Sequence, residues 1–307
     1  MRIILTISFL IAIVSVSIAQ KGYNRGRFWS YNVLVSSTTF LSDLGGKNGH
    51  GTHDHKDINF AQTGYALGGG IAYNYIKGFS FELETTAGRL RADDAETDWN
   101  RKYRMIHVRT DFLETALKFQ YTVPDFVKNY KGLYLNAGGG IVLYNPKAQL
   151  NGKWYNLRPL GTEGQLVDPN KSVYDKYSPI ITVGFGKKIT IRNDLSLAID
   201  ISLRKTFTDY LDDVSTFYFD KDLIEAKSGT IARHFSDPAN GQNGVGNPGS
   251  IRGFSDHDDN YFLVGIQLNK SIGVRRKRKN KYPPYRDGWF KEDGSTPTIY
   301  RKGRRRR

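Results

Sequence analysis

The chain has 307 residues, a net charge of +15, no cysteine, and a mean hydropathy of −0.50 with 39% hydrophobic residues. The absent cysteine excludes a disulfide framework, a thiolate metal site, a cysteine nucleophile and a lipoprotein anchor, while the hydropathy excludes a helical membrane bundle but not a β-barrel, whose strands alternate apolar and polar residues. The charge is local: Val274 to Arg307 hold 14 basic and 3 acidic residues, leaving a net +4 for everything before them, so the body needs no acidic partner and no nucleic acid.

Residues 1–19 read as a signal peptide, with Arg2 as the positive start, Ile3 to Val16 as the apolar run and Ser17-Ile18-Ala19 as a small-x-small cleavage pattern. Export follows, and residues 20–272 are expected to form the body. From Trp29 the residues follow a period of two, the mark of a strand buried on one face. In chain order the segments are Trp29–Phe40, Gln62–Tyr75, Phe79–Leu90, Asp111–Tyr121, Leu133–Tyr144, Ser178–Thr190, Asp194–Arg204 and Asn260–Ile272. The clearest sets Leu195, Leu197, Ile199, Ile201 and Leu203 against Ser196, Ala198, Asp200, Ser202 and Arg204. In several others the second face carries glycine (Gly64, Gly68, Gly70, Gly138, Gly140, Gly184, Gly186), which fits a narrow barrel crowded by large side chains from facing strands.

The connections alternate long and short. Leu41–Ala61, Arg91–Thr110, Asn145–Tyr177 and Thr206–Asp259 are long; Ile76–Gly78, Thr122–Gly132 and Ile191–Asn193 are shorter. Outer-membrane barrels have short periplasmic turns and long external loops, so the pattern predicts an all-β, eight-stranded antiparallel up-and-down transmembrane β-barrel with both termini periplasmic. Side chains fill so narrow a lumen. The fillers expected from the inward faces are Glu82, Glu84, Glu114, Lys118, Asp200 and Arg204, which must pair because an isolated buried charge is costly.

Chemistry-bearing groups are sparse. The first long loop carries His50, His53, Asp54, His55 and Asp57, a set with metal-ligating chemistry, yet its glycines and lack of a framing strand fit a solvated loop better. Asp209, Asp212 and Asp213 do not have the spacing of a calcium loop. His107 and Ser215 stand outside any nucleophile motif. No catalytic, cofactor or metal site is expected.

Three stretches are too distinctive for generic loops: FLSDLGG at Phe40–Gly46, YNPKAQLNGKWYNLRPLGTEGQ at Tyr144–Gln165 and LRKTFTDYLDDVSTFY at Leu203–Tyr218. Phe207, Tyr210, Phe217 and Tyr218 in the last suit an interfacial girdle or a partner surface, and Trp154, Tyr155 and Leu157 in the second suit a fold over the barrel mouth or a partner. Together, between Trp29 and Ile272, these stretches resemble the PorG-like Bacteroidetes outer-membrane barrel family of the type IX secretion and gliding-motility machinery. The resemblance implies a non-enzymatic barrel that anchors a periplasmic ring, made of a lipoprotein and a soluble ring subunit, to the outer membrane. An alternative from the barrel alone is an OmpX-like surface protein whose loops bind ligands or host surfaces.

Residues 273–307 extend past the region of resemblance. Strand parity puts this tail in the periplasm, and its charge, Pro283-Pro284 and Gly294 favour disorder in the free state. Arg275, Arg276, Lys277, Arg278 and Lys279 would steer it to an acidic partner, with Tyr285, Trp289 and Phe290 as anchors; a loose electrostatic tether is the competing reading.

Overall fold

The computed structural model describes residues 27–44, 62–76, 78–96, 100–123, 127, 130–192 and 194–272. The expected signal peptide, the histidine-bearing loop and the basic tail lie outside these residues. Among the described residues nine strands run in chain order: β1 Phe28–Leu41, β2 Gly64–Ile76, β3 Phe79–Asp93, β4 His107–Thr122, β5 Leu133–Leu150, β6 Lys153–Asn156, β7 Tyr177–Arg192, β8 Leu195–Thr206 and β9 Asn260–Ser271. Two short helices, α1 Lys221–Ser228 and α2 Thr230–Ser236, lie between β8 and β9.

Each strand is antiparallel to its neighbours in the order β4-β3-β2-β1-β9-β8-β7-β5, and β4 also pairs with β5 from Arg109↔Lys147 to Thr122↔Tyr134. That last pairing closes an eight-stranded barrel. Closure leaves none of the eight strands with an unpaired edge along the wall, the condition for a β-structure to sit in hydrocarbon. No helix among the described residues is long and apolar enough to cross a membrane.

The period of two becomes an inside and an outside. Val33 and Val35 on β1, Leu83 on β3, Leu117 on β4, Leu135 and Ile141 on β5, Val183 and Phe185 on β7 and Ile266 on β9 face outward and exposed. Such a continuous apolar belt would be an aggregation site in water and is the lipid-facing band of an outer-membrane β-barrel. Expected and observed strands differ chiefly at the long-loop end. β4 begins at His107 rather than Asp111, and β5 runs to Leu150 rather than Tyr144. Beyond the belt, β5 turns back on itself through Asn151-Gly152, with φ of 50° and 79°, and pairs with β6 as a hairpin. The two positive φ values are those of the two-residue turn that Asn-Gly favours.

Glycine on β5 separates the two faces. A Cβ on inward-facing Gly140 would fall on the carbonyl oxygen of Thr115 and crowd Ala116, whereas one on outward-facing Gly139 meets only an ordinary contact at 3.5 Å. Gly140→Ala is therefore expected to lower stability by about 1–3 kcal/mol and Gly139→Ala to change it by less than about 0.5 kcal/mol, measured as urea midpoints for folding into lipid vesicles. Equal effects would show that the interior is not close-packed there.

Candidate functional site

All six charged side chains expected in the lumen are found there, and the ladder sets their heights. On β3 and β4, Glu82 is opposite Lys118 and Thr86 opposite Glu114; on β8, Arg204 lies opposite Thr182 of β7 and Tyr261 of β9. Arg204, 1% exposed, reaches across the lumen to Glu114, with Nη2 to Oε1 at 2.9 Å and Nε to Oε1 at 3.1 Å. Tyr261 donates its hydroxyl to the other Glu114 oxygen. Lys118 pairs with Glu84 at 2.7 Å, and Arg204 also approaches Glu84 at 3.6 Å.

Toward the short-turn end the polar side chains change partners. Asp200 accepts from Tyr134 Oη at 2.8 Å, Asn136 Nδ2 at 3.2 Å and Ser202 Oγ at 2.8 Å. Glu82 accepts from Asn32 and, at 3.1 Å, from Gln267. Sequence reasoning missed these uncharged partners, and it missed Lys188 on the inward face of β7, whose ammonium lies 5.7 Å from the centre of the Tyr134 ring. Its position two residues beyond inward-facing Gly186 was the available signal. Ion pairs to Glu84 and Glu114 and neutral hydrogen bonds to Glu82 and Asp200 fill the lumen.

At the opposite end the long loops are built into a cap. Phe112, Tyr261, Leu90, Val142 and Leu263 at the top of the lumen share one buried apolar cluster with Leu157, Tyr174, Leu211, Val214 and Phe235 from the loops. Two arginines tie the loops together. Arg104 holds Asp94 through two bonds of 2.9 and 2.8 Å and donates to the carbonyls of Asp43 at 2.9 Å and Arg252 at 2.6 Å. Arg252 in turn donates to Glu163 at 2.9 Å and to the Asp213 carbonyl at 2.6 Å. Glu163, wholly buried, also accepts from the Ser215 amide at 2.9 Å and the Thr216 hydroxyl at 2.7 Å.

These contacts unite the three distinctive stretches, which contribute Asp43, Glu163 and Asp213 with Ser215. The expected aromatic girdle at Phe207–Tyr218 is corrected: Tyr218 is buried and Tyr210 stacks on Tyr174 at 4.5 Å, while Phe207 and Phe217 remain exposed. A loop of this length closes a barrel mouth only by burying its own aromatics, which leaves few for the rim. Leu157 is buried and Tyr155 packs on Phe235 at 5.8 Å, so these two fold over the mouth, while Trp154 packs under the Arg109 guanidinium on the outer wall. Ser215 is buried in the cap, whereas His107 faces outward and pairs with Asp93 at 2.8 Å.

Asp209, Asp212 and Asp259 lie buried within mutual electrostatic reach, together with Asp43. Burial, reinforced by Asp43 and Asp212, pushes Asp209 up to about 10, and burial raises Asp212 and Asp259 well above the carboxylate range. Burial lifts Asp213 to about 6 despite the neighbouring Arg252 guanidinium and the hydroxyls of Thr162 and Tyr174. Among the described residues no three acidic or histidine side chains are arranged to hold a metal ion.

No protein-family model and no curated protein matches this chain. Solved structures similar to it include Neisserial surface protein A, at 7% identity and a TM-score of 0.39, covering 80% of this chain and 99% of that one. The attachment invasion locus protein Ail of Yersinia pestis is 5% identical with a TM-score of 0.36 over 80% and 99% of the two chains. The outer-membrane protein AlkL is 13% identical with a TM-score of 0.35 over 85% and 96%. The shared feature is the barrel; closure, belt and filled lumen define this chain independently.

Two outcomes test the site. Glu114→Gln should destabilise the barrel by about 3 kcal/mol, because it leaves the Arg204 charge buried without its partner, and Glu114→Gln combined with Arg204→Met should cost less than the two single changes together in the same urea assay. The cap has the opposite pH dependence from an ordinary salt-bridged surface. Carboxylates with raised folded-state values bind more protons folded than unfolded. Their stabilising contribution is full below about pH 4 and is lost as pH rises through about 6 for Asp213 and toward about 10 for Asp209. Hydrogen exchange of residues 206–259, corrected for intrinsic rates, should show protection falling at least about tenfold between pH 5 and pH 9; protection that rises with pH would refute the protonated cap.

Proposed function

We propose that this barrel is a non-enzymatic outer-membrane component of the type IX secretion and gliding machinery, anchoring a periplasmic ring complex to the outer membrane. The observation that carries the reading is the convergence of the three family-like stretches. They form one buried core through Asp43, Glu163, Arg252 and Asp213, so the resemblance falls on residues that act together. A lumen filled by ion pairs suits an anchor better than a solute channel. The long-loop end faces outward in this reading and the termini face the periplasm, where the basic tail meets the ring lipoprotein and soluble ring subunit. The partner-binding residues proposed are Arg275, Arg276, Lys277, Arg278, Lys279, Tyr285, Trp289 and Phe290.

A second reading, a surface barrel whose external loops bind ligands, is favoured by one observation: Phe217 and Ile251 bridge in the cap and both stay about half exposed. External protease distinguishes them, since an anchor keeps periplasmic partners after its surface loops are cut.

Affinity capture from gently solubilised outer membranes should recover ring subunits with the intact chain and lose them with a version ending after Ile272. Trp289→Ala with Phe290→Ala should weaken capture at high salt while all charge is retained. Recovery of no ring subunit with either length would remove the secretion reading and favour the surface-binding one.

A further inference from the structure

The outer wall is interrupted at one height. β5 pairs with β7 as far as Leu143↔Tyr177, and from Lys147↔Asn156 onward β6 takes that edge. Single hydrogen bonds bracket the changeover, from the Tyr144 amide to the Lys176 carbonyl and from the Leu157 amide to the Pro146 carbonyl, each 3.0 Å. The exchange of neighbours opens a notch of about 570 Å³, a volume in the range of small-ligand sites.

Its lining mixes apolar and cationic groups. Leu113 and Leu143, outward-facing and 43% and 49% exposed, continue the apolar belt into it. Arg158 and Lys176 line it as well, with Asn145 and Asn156, and Lys176 lies next to Tyr177, the strand partner of Leu143. The lining carboxylate, Asp111, is already surrounded by cations: Arg89 at 2.9 Å, Lys147 at 2.8 Å and Arg109 at 3.5 Å. Arg158 donates Nε to the Tyr174 carbonyl at 2.6 Å, and neither it nor exposed Lys176 has an ion pair among the described residues. Positive charge is therefore in surplus beside the outward-facing leucines. Trp154 lies farther toward the long-loop end, opposite Gln149 and under the Arg109 guanidinium at 3.9 Å.

We infer that this notch binds the phosphate-bearing headgroup of a membrane lipid from the leaflet that meets the long-loop rim, with Arg158 and Lys176 on the phosphate and an acyl chain against Leu113 and Leu143. Arginine supplies paired N–H donors suited to phosphate, and lysine a mobile point charge. A soluble anion has no use for the leucines, and a neutral lipid has none for the cations. The fit is to a ligand with both.

The test uses the full chain in nanodiscs of phosphate-free digalactosyldiacylglycerol doped with bis-phosphorylated lipid A or with the same lipid after phosphate removal, and counts retained lipid by native mass spectrometry. Phosphorylated lipid should be retained on the intact protein and the dephosphorylated lipid should not. Arg158→Ala with Lys176→Ala should weaken retention roughly tenfold, the size expected from losing charge-assisted bonds. Lys176→Glu, a change at an exposed position, should weaken it even if the double variant folds poorly. Equal retention of both lipids, or retention unchanged in Lys176→Glu, would overturn the inference. Displacement by millimolar inorganic phosphate alone would replace it with a simple anion site.

Discussion

Pairing of β4 with β5 is the interaction on which the rest depends. A sheet of these strands left open would present a row of unpaired amides and carbonyls to hydrocarbon, each costing several kcal/mol. Once that pairing closes the ring, no strand of the wall keeps a free edge, and every residue is committed to lipid or lumen. The outward set becomes Val33, Leu83, Leu117, Ile141, Val183 and Ile266; the inward set holds the carboxylates and cations.

Closure also creates the problem that the interior solves. Eight strands enclose too little space for bulk water to solvate Glu82, Glu84, Glu114 and Asp200, so each must find a donor within the wall. Arg204 and Lys118 answer two of them by ion pairs, while Tyr134, Asn136, Asn32 and Gln267 answer the others by neutral hydrogen bonds. Tyr261 joins two layers, its hydroxyl on Glu114 and its ring 5.3 Å from Phe112. Above it the lumen turns apolar and continues into the cap, so barrel and loops share a single packed interior. In the cap, burial and neighbouring carboxylates raise Asp209, Asp212 and Asp259 above the ordinary carboxylate range.

The barrel was legible because its signal is local. Alternation along Leu195–Arg204 or Phe79–Leu90 needs only neighbouring residues to be read, and loop length needs only counting. Asn151-Gly152 was equally legible as a hairpin signal, but lay inside a stretch treated as one long loop. The cap was not legible as such. Asp43, Glu163 and Arg252 are separated by more than a hundred residues in places, and nothing in their local patterns says that they meet. Their stretches stood out only as unusual sequences, which is how a long-range constraint looks when its partners are out of view.

What the sequence by itself determined was the strand period, the number of barrel strands, the polarity of each face and the asymmetry of the connections, because these follow from side-chain chemistry at fixed local spacing. Only the tertiary structure decided which charge pairs with which, that the loops close over the mouth, and that the change of neighbours on β5 leaves a cationic notch beside the outward-facing leucines. Those depend on the register of strands distant in sequence, and register is set when the ring closes.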